Sequence, residues 1–206
     1  MRSAKPKKSK NPNRPAPGSS IKVEPIRNLK GIKQIKKLLK DSPRDLCLFT
    51  FGINTAYRAG ELLSIRVGQV AHLKPGEVLD LKQSKNKAYR ATTLNGAVIK
   101  AVQHWLEHHP DPRPKAPLFP SRKGIGALGV SALNHMIKKW CAEAGIKGNY
   151  GSHSLRKTFG YHQRVQAGQP VALLMAVFGH SSERVTLEYL GIQPDEIADL
   201  YMELEL

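Results

Sequence analysis

The sequence predicts a mainly α-helical α+β domain that carries one small antiparallel β-sheet. Apolar residues recur at helical spacing through most of the chain after residue 27. The period changes to strand-like runs only at 76–81 and 89–94, which flank a polar turn at 84–87. A chain of 206 residues with 40% hydrophobic residues can bury an ordinary core, so we expect one domain.

The helices follow from periodicity and capping signals. A first helix is expected within 27–40, where apolar residues alternate with lysines. Ser42 and Pro43 then resemble an N-cap and a proline at the first helical position. Asn95 is expected to cap a helix that continues to about residue 108. The remaining helices are expected over 46–53, 62–67, 131–144, 153–167, 170–178, 182–190 and 194–205.

The charge is strongly positive and concentrated at the start of the chain. Lysine and arginine total 33 against 16 acidic residues, a formal charge of +17. The first 40 residues hold 13 of these cations and one acid, Glu24. Residues 1–26 are rich in Lys, Pro, Ser, Asn and Gly, which predicts a flexible basic arm before a domain at 27–206. The arm either keeps the protein in solution or follows DNA phosphates, and counterion release favours the second.

Composition also limits the compartment and the cofactors. No apolar run approaches the ~20 residues needed to span a bilayer, although an anionic membrane surface competes with nucleic acid as a partner. The basic N-terminus lacks the apolar stretch of a secretory signal. Cys47 and Cys141 lie in apolar contexts typical of reduced cysteines in a cytoplasmic protein. His104 and His108 could share a helix face, but no third metal ligand is evident, so we expect no metal site.

One short region holds groups that can attack a phosphodiester. His153 and Arg156 are three residues apart, and Tyr189 follows His180 by nine residues. A tyrosine between leucines is more often a core residue, and each pair is a weak signal by itself. As a nucleophile, a phenol with an ordinary pKa near ~10 needs a base or cationic surroundings, and this region supplies both. The order and spacing therefore carry the prediction.

Two further groups lie upstream. Arg58 precedes Glu61 by one helical turn, so it forms either a buried structural ion pair or a fork that binds phosphate oxygens. Two such forks can neutralise a pentavalent transition state. Lys85 lies in the predicted hairpin turn, where an ammonium could protonate a departing 5′ oxygen. Lys82 and Lys87 are its rivals, because a small slip of strand register would exchange them.

Together these residues resemble the catalytic domain of the tyrosine recombinases, also called the phage integrase family, over roughly 28–201. The family pattern is an Arg-x-x-Glu box, a β-turn lysine, a His-x-x-Arg box, a Gly-His box and a tyrosine nine residues later. The matching residues are Arg58, Lys85, His153, Arg156, His180 and Tyr189. The resemblance implies that the arginines clamp the scissile phosphate, the first histidine assists proton transfer and the second donates to a phosphate oxygen. It further implies that the lysine is the general acid and that the tyrosine forms a 3′-phosphotyrosine, without metal or nucleotide.

The sequence departs from this pattern in three places. Ala56 and Tyr57 replace the commoner Gly and Leu, and Lys157 stands where His is frequent. Many members also carry an N-terminal DNA-clamping domain of roughly a hundred residues, where this chain has only the basic arm. The resemblance therefore implies a minimal recombinase whose DNA affinity is unusually sensitive to salt.

Residues for DNA specificity are less evident. The helix expected at 131–144 is our candidate for the major groove, or else an ordinary amphipathic surface helix. Its candidate contacts, including the two cations before it, are Arg122, Lys123, Asn134, Lys138 and Lys139. The C-terminal helix expected at 194–205 either docks on a neighbouring protomer or folds back on its own domain.

The sequence thus predicts a site-specific recombinase that cuts and rejoins double-stranded DNA through a phosphotyrosine. The resemblance implies a homotetramer on DNA, accessory DNA-bending proteins as further partners, no membrane, and a place with the nucleoid in the cytoplasm. A type IB topoisomerase-like enzyme uses the same chemistry and is an alternative. A DNA-binding accessory protein with a vestigial site is another, but a merely binding protein has no need of the complete set of six groups.

Overall fold

The computed structural model describes residues 22–82, 89–123, 126–191 and 201–202. Within these ranges most residues of regular structure are helical and the two strands pair antiparallel, so the predicted class is confirmed. The elements are α1 Leu29–Leu38, α2 Pro43–Asn54, α3 Ala59–Ser64, α4 Val67–Val70, β1 Val78–Lys82, β2 Tyr89–Thr93, α5 Gly96–Leu106, α6 Val130–Glu143, α7 Ser152–Val165, α8 Val171–Phe178 and α9 Glu183–Leu190.

Capping residues set several of these boundaries. The Asn95 side chain accepts a hydrogen bond from the Val98 amide (3.0 Å), and Pro43 occupies the first turn of α2, both as predicted. The prediction of one helix over 62–67 was wrong, because the chain is extended between α3 and α4. The Ile65 carbonyl accepts from the Leu118 amide (2.8 Å). Backbone pairing with the 114–118 segment thus replaces the helical hydrogen bonds at this point.

The two strands form a hairpin whose inner face joins the core. Val78 pairs with Thr93 and Lys82 with Tyr89, in regular antiparallel register. Leu79, Leu81 and Leu94 are buried. The predicted turn, with Lys85 and Lys87, lies outside the described residues, as does the side chain of Lys82.

Helix α2 lies at the centre of the domain and packs against α5 and α7. Gly52 permits the contact with α7, because a Cβ there would come within 2.4 Å of a Leu155 methyl carbon. The close approach of α2 and α7 brings Arg156 beside Ala56, which follows α2. The packing of α2 against α7 therefore positions Arg156, one of the catalytic candidates.

Residues 24–26 depart from the expected flexible arm. Ile26 is fully buried, and its amide donates to Thr158 Oγ1 (2.8 Å). The Glu24 amide donates to the Asn149 carbonyl (2.8 Å). An isoleucine that buries its side chain and pairs its amide is fixed to the domain, so residues 24–26 do not belong to a flexible arm. Residues 1–21 lie outside the described residues.

The C-terminal helix predicted at 194–205 also lies outside the described residues, apart from 201 and 202, which are helical and exposed. In the part of the chain that the structure describes, no helix combines the length and the apolar character needed to cross a membrane.

Cys47 and Cys141 are free and buried. Burial raises the pKa of both thiols, that of Cys141 to about 12, so both are unreactive core residues.

Candidate active site

Five of the six catalytic candidates lie in described segments that meet at one side of the domain. Arg58 directly precedes α3, while His153 and Arg156 lie on α7. His180 follows α8, and Tyr189 lies on α9. The helices α7, α8 and α9 pack on one another around a small apolar cluster formed by Ala56, Leu174, Phe178 and Leu190. This cluster holds the candidates in place.

Arg156 is a buried cation with neutral partners. Its side chain donates to the Ala56 carbonyl through Nη1 and to the Phe178 carbonyl (2.8 Å) through Nη2. Its Cζ lies 4.8 Å from the centroid of the Phe178 ring, and the residue is 3% exposed. Burial lowers the pKa of the guanidinium to about 10, so it stays charged at neutral pH. A buried cation held by carbonyls attracts an anion.

Arg58 differs, because a carboxylate holds it. Its Nη1 lies 2.9 Å from Glu61 Oε1, and its backbone amide donates to Glu61 Oε2 (2.7 Å). Glu61 is nearly buried, whereas the Arg58 side chain is 45% exposed. The ion pair expected from the sequence is present. It orients the guanidinium and leaves part of its donor surface open to solvent.

Arg90 is a member of the site that the sequence analysis missed. Its Nη1 lies 3.5 Å from Glu61 Oε2, and its Nη2 donates to the Val177 carbonyl (2.9 Å) at the end of α8. One side chain thus joins the hairpin to the partner of Arg58 and to the segment that precedes His180. The available signal in the sequence was the two-residue period of a strand. This period places residue 90 on the same face as Leu94, which is buried.

The positive charges of Arg156 and Arg58 act on both candidate histidines. His153 is exposed, and partial desolvation together with Arg156, Lys157 and Arg58 lowers its pKa. His180 Nδ1 lies 3.1 Å from Thr186 Oγ1, and that hydroxyl donates to the Ser182 carbonyl (3.2 Å). The Thr186 oxygen therefore accepts from Nδ1–H. Burial, then Arg156 and Arg58, lower the pKa of His180, so both imidazoles are mostly neutral at pH 7.

Tyr189 has a buried hydroxyl that forms no hydrogen bond with the described residues. Its ring centroid lies 5.1 Å from that of His180 and 4.9 Å from Lys157 Nζ. Burial raises the pKa of the phenol, and the Arg156 guanidinium, which lies nearby but outside hydrogen-bond geometry, opposes this shift most strongly. A buried phenol without a partner is unfavourable for folding and is typical of a functional group.

The structure thus brings together Arg58, His153, Arg156, His180 and Tyr189, as their mutual contacts and electrostatic effects show. Lys85 lies outside the described residues. Besides Arg90, the sequence analysis missed Thr186 and the packing of Lys157 against Tyr189. Thr186 lies three residues before Tyr189 on α9, and a threonine one turn from a candidate nucleophile was the available signal.

Four of the five candidates for DNA specificity are exposed cations. Arg122 Nη2 lies 3.4 Å from Asp45 Oδ2, and Lys139 lies 3.7 Å from Glu143. Lys123 and Lys138 are exposed as well. Asn134, the fifth candidate, is half-buried and has a partner within the protein. Its Oδ1 accepts from the Ser152 amide (3.0 Å), because the first amides of α7 have no partner within the helix.

One group of metal-ligand residues occurs among the described residues. The ligand atoms of His104, Glu107 and His108 lie within 4.8 Å of one another on the exposed end of α5. Glu107 is the third group that the sequence analysis did not recognise. None of the catalytic candidates belongs to this cluster.

Sequence comparisons agree with this geometry. The family model described as "Phage integrase family" matches residues 28–196. The chain is 31% identical over 180 residues to "Probable integrase/recombinase YoeC" of Bacillus subtilis (strain 168), covering 87% of this chain and 95% of that protein. It is 24% identical to "Tyrosine recombinase XerC" of Bradyrhizobium diazoefficiens over 77% of this chain and 49% of that protein. The chain thus spans nearly all of YoeC and about half of XerC.

Solved structures show the same fold. XerA recombinase superposes with a TM-score of 0.71 at 18% identity, over 87% of this chain and 65% of that chain. XerH recombinase superposes with a TM-score of 0.67 at 23% identity, over 84% of this chain and 49% of that chain. These likenesses concern the fold, whereas the family model covers most of the sequence and YoeC matches along nearly its whole length. The chain therefore belongs to the phage integrase family of tyrosine recombinases.

Proposed function

We propose that this protein is a site-specific recombinase that cuts and rejoins duplex DNA with Tyr189 as nucleophile. One observation carries the proposal. An unpaired, buried phenol lies beside a buried guanidinium whose hydrogen-bond acceptors are neutral carbonyls. A phosphodiester supplies what both groups lack, a negative charge for Arg156 and an electrophilic phosphorus for Tyr189.

The two arginines have complementary parts in binding the phosphate. Arg156 is fixed by backbone carbonyls, and Arg58 is fixed by Glu61 while remaining partly exposed. Guanidinium forks held in this way can bind non-bridging oxygens and stabilise the charge that develops in a pentavalent transition state. Their positions do not need to change during the reaction, which is the main requirement of electrostatic catalysis.

In the cleavage step, the phenol oxygen of Tyr189 forms a bond to phosphorus while the bond to the 5′ oxygen breaks. The phenol proton goes to a neighbouring base, for which His153 is the candidate, and Lys85 donates a proton to the departing oxygen. The product is a 3′-phosphotyrosine and a free 5′ hydroxyl. Attack by a 5′ hydroxyl reverses the step, so the exchange needs neither a metal ion nor ATP.

The hydrogen bond of His180 sets a condition on its assigned role. With Nδ1–H on Thr186, neutral His180 presents Nε2 as an acceptor. Donation to a phosphate oxygen therefore requires the imidazolium form. An anionic phosphate near the ring raises its pKa and favours that form.

Double-stranded DNA is the partner that the charge and the neighbours support. Solved structures with a similar fold include XerH bound to palindromic difH and a λ integrase dimer bound to a core site. The net charge of +17 provides the electrostatic attraction. In this proposal the exposed cations Arg122, Lys123, Lys138 and Lys139 contact DNA. Four protomers assemble on the recombining sites with the help of accessory DNA-bending proteins. The protein resides with the nucleoid.

The test is covalent capture on nicked suicide substrates made from the DNA that flanks the encoding locus. Wild-type protein should form an adduct that survives denaturing electrophoresis, and Tyr189→Phe should form none while still shifting the DNA. Tyr201→Phe, which changes an exposed tyrosine, is the matched control and should react like wild type. Capture by Tyr189→Phe at the wild-type rate would falsify the proposal.

The names of the relatives do not favour the topoisomerase-like alternative, since they describe recombinases and integrases. Relaxation of supercoiled DNA without any recombinant product would support that alternative. A gel shift without an adduct, for wild-type protein, would support a vestigial site.

A further inference from the structure

The residues just before α1 are fixed to α7. Ile26 is fully buried, its amide donates to Thr158 Oγ1 (2.8 Å), and its carbonyl accepts from His162 Nε2 (2.9 Å). Thr158 in turn donates to the Ser154 carbonyl (2.7 Å). The pre-α1 segment, residues 24–27, is therefore attached to the helix that carries two catalytic candidates.

Arg27 extends this attachment to the helix of the nucleophile. Its Nη2 donates to the Gly191 carbonyl (2.9 Å), two residues after Tyr189. Gly191 is the C-cap of α9 and has a φ of 70°, a left-handed conformation that favours glycine. A cation at this end of a helix also interacts favourably with the helix dipole.

The direction of the Arg27 side chain is set by Glu24. Arg27 Nη1 lies 3.0 Å from Glu24 Oε2, while Glu24 Oε1 accepts a hydrogen bond from the Asn149 amide (3.0 Å). The Asn149 amide and Arg27 both help to lower the pKa of Glu24 against the effect of burial, so this carboxylate stays charged at neutral pH. The guanidinium is thus held between a fixed anion and the end of α9.

Arg27 does not resemble the solvated cations around it. Its Nε is buried without a hydrogen-bond partner among the described residues, and its Cζ lies 5.8 Å from the centroid of the Tyr161 ring. Lys30, on α1, is exposed. An arginine whose task was to follow DNA phosphates would keep its guanidinium in solvent.

We propose that Arg27 is a positioning residue for the nucleophile. It holds the carboxyl end of α9 through Gly191 and so keeps the Tyr189 hydroxyl beside Arg156. The inference rests on the proposed function, because Tyr189 must be the nucleophile for its position to affect cleavage. Arg27 acts through the backbone of α9 and needs no contact with DNA.

The first experiment separates positioning from charge. Arg27→Gln and Lys30→Gln remove one positive charge each, but only the first removes a contact to α9. At saturating DNA, single-turnover adduct formation by Arg27→Gln should be at least ~10-fold slower than by Lys30→Gln, at equal DNA affinity, by analogy with misplaced catalytic groups. Arg27→Lys should keep part of the rate. Equal rates for the two glutamine variants would overturn the inference.

The second experiment needs no cleavage. Hydrogen exchange of the DNA-free protein should show faster exchange of the α9 amides in Arg27→Gln, with α2 unchanged. If that variant does not fold, Arg27→Lys replaces it, with faster α9 exchange than wild type again expected. Unchanged α9 exchange would overturn the inference. A wild-type protein that forms no adduct would instead overturn the proposed function, so the two failures are distinguishable.

Discussion

The three arginines of the site occupy contrasting surroundings. On the hairpin side, Arg58 and Arg90 share the carboxylate of Glu61, so their charges are partly neutralised within the protein. On the side of α7 to α9, Arg156 bonds to neutral carbonyls and the Tyr189 hydroxyl has no partner among the described residues. The first region has one carboxylate for its two cations, whereas the charge of Arg156 has no carboxylate bonded to it. If the proposed function holds, we expect Arg156 to contribute more than Arg58 to binding the scissile phosphate.

The largest effect is expected from Arg156→Met, which removes the uncompensated cation. Adduct formation should fall by ~10² to 10³-fold, as when a donor to a developing oxyanion is removed. The same change at Arg164, farther along α7, is the control and should alter the rate little. Single-turnover capture on the suicide substrate measures both. A loss of less than threefold for Arg156→Met would show that the contrast between the two regions has no catalytic meaning.

Glu61→Gln tests the hairpin side and should act mainly on stability. Two guanidinium groups lose their shared anion, and the Arg90 group is nearly buried. We expect the free energy of unfolding to fall by about 2 kcal/mol, less than for a fully buried pair because Arg58 is partly exposed. Urea denaturation measures this change, with exposed Glu77→Gln as the control. An unchanged midpoint would contradict the assigned role of Glu61.

Thr186→Val should leave folding nearly intact and affect His180. The substitution keeps the shape of the side chain but removes the acceptor of Nδ1–H. The imidazole then loses its fixed orientation, and cleavage should slow by about tenfold at unchanged DNA affinity. Thr93→Val, on the exposed side of β2, is the control. Equal cleavage rates for both variants would show that Thr186 has no part in cleavage.

The smallest effect concerns pH and stability. His153 and His180 have a lower pKa in the folded protein than the ordinary value of 6.5. The unfolded chain therefore binds more protons below pH 6.5, and the free energy of unfolding should decrease as the pH falls through that range. His180→Gln should flatten this dependence. A wild-type stability that is constant between pH 7 and pH 5 would contradict the lowered pKa values.

The sequence predicted the fold class and most helix positions, because amphipathic periodicity and capping residues are local signals. Through the resemblance it also predicted that Arg58, His153, Arg156, His180 and Tyr189 would meet, whereas Lys85 lies outside the described residues. It did not predict the contacts of Arg90 with Glu61 or of Arg27 with Gly191, which join residues 29 and 164 positions apart. The partner of Asn134 was not predicted either, because a polar residue at a helical surface position can face the end of another helix.

Mass spectrometry of the trapped adduct tests the central claim most directly. After cleavage of the suicide substrate and proteolysis, the account predicts a nucleotide linked through its 3′ phosphate to Tyr189, in the peptide that follows Arg184. Fragmentation distinguishes Tyr189 from Tyr201 in the same peptide. A nucleotide attached to any other residue, or through a 5′ phosphate, would contradict the account.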